Sequence, residues 1–108
     1  MKETECMLIE WRQEIQQELT NLSEELSLKE KQLGALEVKL DIITSVARKQ
    51  KEMQNQNILN LKIKEFKSKS GRLKEEIKQL KRKLAIHKDI SNGLLEKIDE
   101  YLGVGASS

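Results

Sequence analysis

A chain of 108 residues in which 35 % are charged, 3 % are aromatic and none is proline has too few bulky side chains to gather into a compact globular core. Its net charge of +2 is too small to imply a nucleic-acid protein by itself. The single cysteine, Cys6, excludes an internal disulfide and suits a reducing compartment.

The chain opens with Lys2, Glu3 and Glu5 ahead of the apolar cluster "CMLIEW" (Cys6 to Trp11), and it lacks the apolar core of a signal peptide. No apolar run approaches the ~20 residues that span a bilayer. The expected setting is therefore intracellular, cytoplasmic or nuclear, and not secreted.

A first helix is predicted over about 5–54. From Leu8, steps of four and three residues land on Arg12, Ile15, Leu19, Leu22, Leu26, Lys29, Leu33, Leu36, Leu40, Ile43 and Ala47, and ten of these twelve positions are apolar. The same phase then meets Gln50, Gln54 and Asn57, and the seam is lost. Within this helix Ile9, Trp11, Val38, Ile42 and Val46 are apolar but lie off the seam, so the helix has more than one face to bury.

A second helix is predicted over about 58–102. Its seam runs through Leu59, Ile63, Phe66, Ser70, Leu73, Ile77, Leu80, Leu84, His87, Ser91, Leu94, Ile98 and Tyr101, with ten of thirteen apolar or aromatic. Leu59 falls two residues beyond the phase of the first seam. A winding defect inserts three or four residues, so a break is expected between the helices, at about 55–57, where Asn can end one helix and cap the next. Gly34 and Gly71 weaken their helices without ending them. "DISNGLL" (Asp89 to Leu95) is a candidate kink, and Gly103 is placed to stop the helix ahead of a flexible tail at 103–108.

The fold class expected is all-α: one elongated coiled-coil unit over 1–108, folded as an antiparallel helical hairpin. A near-continuous rod within a hetero-oligomeric coiled coil is the alternative. If paired positions add to 113, Leu40 faces Leu73, Leu36 faces Ile77, Leu33 faces Leu80, Leu19 faces Leu94 and Ile15 faces Ile98. Glu37–Lys74, Glu30–Lys81, Glu18–Lys97 and Lys39–Glu76 then form the flanks. The competing register, adding to 106, sets Lys39 against Lys69. A parallel homodimer would oppose Glu25 to Glu30, Lys69 to Lys74 and Lys83 to Lys88, and is disfavoured.

Residues 1–48 carry 6 basic and 10 acidic side chains, and residues 49–108 carry 14 and 8, so the chain is acidic first and basic second. Lys67, Lys74, Lys81 and Lys88 occupy four successive flank positions. They form either a stripe for an anionic partner or a solvated edge that serves the acidic half. The second reading is preferred, because the lysines alternate with leucines and no aromatic residue is interspersed to stack bases. "LKRKL" (Leu80 to Leu84) is at most a weak nuclear-import match. His87 has no companion with which to hold a metal. Arg12, Lys29, Ser70 and Ser91 are polar seam positions of the kind that select register and partner.

No phosphate-binding loop, metal-ligand spacing or nucleophile motif occurs, so neither catalysis nor a cofactor is expected. The expected role is that of a structural or adaptor subunit joining other coiled-coil proteins in a hetero-oligomer. The general style resembles small coiled-coil subunits of kinetochore, centrosomal, meiotic-axis or tethering complexes, a resemblance carried by heptads alone. Prefoldin subunits are similar in size and helical content, but nothing in residues 47–60 reads as their β-hairpin. A nucleic-acid-associated coiled coil and a self-assembling rod or filament component are the alternatives.

Overall fold

Apolar side chains at alternating spacings of three and four, with no proline to interrupt them, leave the backbone no reason to stop. The computed structural model describes residues 2–103 and contains two long helices, α1 (Lys2–Lys49, 48 residues) and α2 (Met53–Leu102, 50 residues). No strand occurs among the described residues. α2 passes through Asp89 to Leu95 without interruption. It ends at Gly103, whose φ of 75° suits a residue without a β-carbon and whose N–H donates to the Glu100 carbonyl at 3.2 Å. Residues 104–108 of the expected tail lie outside the described residues.

The connection is Gln50 to Glu52, about five residues earlier than the break expected at 55–57. The side chains explain the shift. The Gln50 N–H donates to the Ala47 carbonyl at 3.3 Å, which tightens the last turn of α1. The Gln56 N–H donates to the Glu52 carbonyl at 3.1 Å, so 55–57 already belongs to the first turn of α2. From that turn the Gln56 Nε2 donates to the Gln50 carbonyl at 2.6 Å, and the Asn55 Nδ2 donates to the Gln50 Oε1 at 3.2 Å. Amide side chains thus hold Gln50, the residue that follows α1, without glycine or proline.

The chain divides into two compact units, 26–79 and 1–25 with 80–108, where the sequence suggested one. Each takes a segment from both helices. In paired helices a side chain meets only nearby layers, so no single core gathers the whole chain.

Within 26–79, the two segments form an antiparallel hairpin. The Lys29 Nζ lies 3.0 Å from the Glu76 Oε2. In the register adding to 113, Glu76 would lie opposite Glu37, roughly 12 Å along the helix from Lys29. That register is therefore incorrect for this unit, and its Leu40–Leu73, Leu36–Ile77, Glu37–Lys74 and Lys39–Glu76 pairs do not form. The Lys29–Glu76 and Gln50–Gln56 contacts agree with positions adding to about 106. The short connection dictates this choice: with the turn at 50–52, a sum near 106 closes the first layer at once, whereas 113 would leave several residues unpaired. Leu40 then faces Phe66, Leu36 faces Ser70 and Leu33 faces Leu73.

Within the other unit, the Arg12 guanidinium meets Asp99, which brings the start of α1 against the end of α2. Its Nε lies 3.0 Å from Oδ1, and its Nη2 donates to Oδ2 at 3.4 Å. The Nε–H is not aimed at Oδ1, so that shorter contact is an ion pair rather than a hydrogen bond. Ile15, Leu84, Ser91 and Ile98 are buried here.

Candidate interaction surface

Every seam position expected from Leu8 to Ala47 and from Leu59 to Ile98 is buried or half-buried. These include Leu8, Ile15, Leu19, Leu22, Leu26, Leu33, Leu36, Leu40, Ile63, Phe66, Leu73, Ile77, Leu80, Leu84, Leu94 and Ile98. The last expected member, Tyr101, is exposed, and Leu102 is half-buried in its place. Gln50 and Gln56 extend the two seams to the connection.

Other apolar side chains stay in solvent. On α1, Leu28 is 57 % exposed, Val38 58 %, Ile42 61 % and Val46 42 %. Leu28, Ala35 and Ile42 are seven residues apart, and Val38 and Val46 follow Ala35 and Ile42 by three and four. This is a second heptad-like stripe on a helix whose first seam already packs against α2. Sequence reasoning identified Val38, Ile42 and Val46 as surplus but missed Leu28 and Ala35. The signal was present in their seven-residue spacing to Ile42. Near the start of α1, Met7, Ile9 and Trp11 are also exposed.

Beside the stripe, an open groove of about 500 Å³ runs between the two segments of the 26–79 unit. Leu36, Phe66 and Leu73 lie along it with Ala35, and Lys39, Lys69, Arg72, Gln32 and Glu76 supply its polar lining. Lys39 and Lys69 both line this groove, as the register adding to 106 implies. Lys69 is partly compensated by Glu65, one turn back at 3.1 Å, and its Nζ lies 6.0 Å from the centroid of the Phe66 ring. Glu76 is engaged by Lys29. Among the described residues, Lys39 and Arg72 form no ion pair.

Lys67, Lys74, Lys81 and Lys88 are exposed, and no ion pair among the described residues includes them. The stripe is therefore not held by direct contact with the acidic half, contrary to the preferred sequence reading. Lys97, expected opposite Glu18, lies 3.1 Å from Glu100 on its own helix. Cys6 is an exposed free thiol. His87 is half-buried, and no group of three metal-ligating side chains occurs among the described residues. No described helix is long and apolar enough to cross a membrane.

No protein-family model matches the chain, and no curated protein or solved structure matches it.

Proposed function

We propose that the protein is a non-enzymatic adaptor, an intracellular subunit that holds other proteins by helix packing within a hetero-oligomer. One observation carries this reading. After α1 and α2 have paired through their seams, α1 keeps a second apolar stripe, Leu28–Ala35–Val38–Ile42–Val46, at the spacing a further helix would read. Single exposed apolar residues are ordinary on a helix, but a periodic row of them supports docking of a further helix.

The test is site-specific photo-crosslinking in the native cell, with the reactive residue placed at Val38 or Ile42 and, for comparison, at Glu37. Crosslinking of one defined protein from Val38 and Ile42, but not from Glu37, is the expected result. Equal labelling at all three positions, or none, would remove the support for an adaptor.

A nucleic-acid-associated role is favoured by the uncompensated Lys67, Lys74, Lys81 and Lys88. It requires association that falls steeply as salt rises. Retention of binding through a several-fold rise in salt would dismiss it.

A further inference from the structure

Resting on the adaptor reading, we propose that the stripe and groove of the 26–79 unit receive an amphipathic partner helix whose apolar seam is flanked by carboxylates. Two features of the surface select this occupant. Its apolar part has the heptad spacing of a helix-docking face: Leu28, Ala35 and Ile42 repeat every seven residues, and Ala35 also lies on the groove above Leu36 and Phe66. Its rim is cationic: Lys39 projects from α1, Lys69 and Arg72 from α2, and the carboxylate at the same groove, Glu76, is already paired with Lys29.

The chain's own register creates that charge. A turn at Gln50 to Glu52 brings Lys39 and Lys69 to the same groove, where Glu65 pairs with Lys69 and no ion pair among the described residues includes Lys39. An acidic helix would supply carboxylates there and cover the stripe at the same time. A second copy of this chain is a poor occupant, because a twofold contact brings identical patches together and so doubles the Lys39, Lys69 and Arg72 cluster. A basic helix meets the same repulsion. Charge complementarity of this kind sets partner choice more than total affinity.

The experiment uses the full chain and three labelled peptides of about three heptads, with Leu and Ile at the seam positions. The flanks are all Glu in one, all Lys in the second and all Gln in the third, and binding is followed by fluorescence anisotropy. The Glu peptide should bind about tenfold more tightly than the Lys peptide, as expected from a few partly exposed ion pairs. The double variant Lys39→Glu/Arg72→Glu should abolish or reverse the preference. Lys67→Glu/Lys74→Glu, on the other edge of α2, should leave it in place. Ile42→Glu should abolish binding of all three peptides while circular dichroism shows the helices retained, since Ile42 is 61 % exposed.

A preference for the Lys peptide, or one moved by Lys67→Glu/Lys74→Glu alone, overturns the proposal. Equal binding of all three peptides through Ile42 overturns the acidic partner but leaves the adaptor reading standing. If no peptide binds, the proposal falls, and crosslinking at Val38 alone decides the adaptor. A concentration-dependent mass in light scattering that Ile42→Glu removes would replace the acidic helix with a second copy.

Discussion

Lys29 and Glu76, 47 positions apart, meet at 3.0 Å and mark the register of the 26–79 unit. Lys29 occupies a seam position, so its alkyl stem lies along the apolar layer while its amine reaches the edge, where Glu76 waits. Lys29→Glu should lower stability by about 0.5–1 kcal/mol, and Lys29→Glu/Glu76→Lys should restore most of the loss. A double-mutant cycle by urea denaturation measures the coupling. A coupling of zero would mean that the turn alone sets the register.

Arg12 and Asp99 provide the corresponding contact in the other unit. Asp99→Ala leaves the Arg12 Nε, which is buried, without its counter-charge, and should cost about 1 kcal/mol. The penalty should shrink as salt is raised, because the pair is partly solvated. Denaturation at low and high ionic strength separates this from a packing loss, which salt would leave unchanged.

Burial predicts a sharp contrast among isoleucines. Ile15 and Ile98 are 5 % and 3 % exposed, against 61 % for Ile42. Truncation of either buried residue to Ala should cost about 2–4 kcal/mol. Ile42→Ala should stay within about 0.5 kcal/mol in the isolated chain. Chemical denaturation of the three variants checks this, and a large loss at Ile42 would show that the stripe serves the fold rather than a partner.

Gly34 and Gly71 offer the opposite sign. Both sit inside helices, and a β-carbon added at either would meet nothing within 4 Å. Alanine there should therefore stabilise by about 1 kcal/mol per site. Thermal unfolding followed by circular dichroism would show it. A drop in stability at Gly34 would mean that the space beside it is filled when the chain folds in solution.

The helices and their seams were legible because period and burial report the same physics: each leucine or isoleucine at the heptad spacing must find another helix. The connection was misplaced because its chemistry is quiet. Gln56 begins the second seam with a polar side chain, so the apolar rhythm became visible only at Leu59, and Asn55 to Asn57 looked like the turn. The register of the 26–79 unit was misjudged for a related reason. Matched leucines fit every step of seven, and the flank charges favoured the sum of 113. The choice was made by the shortness of a turn whose position the charges do not report. The groove was hidden for the same reason, since Lys39, Phe66, Lys69 and Arg72 converge only once the register is known.

The phase offset across Gln50 to Glu52 also bears on how two copies could tangle. Two residues of offset correspond to a rotation of about 200° around a helix axis. If an opened chain let its connection become helical, its two seams would point to nearly opposite sides. Two such chains could not exchange halves along one straight seam, which is the usual route by which hairpins domain-swap into dimers. The Gln-Lys-Glu turn therefore works against exchange of halves between copies, while the outer stripe of α1 stays exposed whichever way the connection folds.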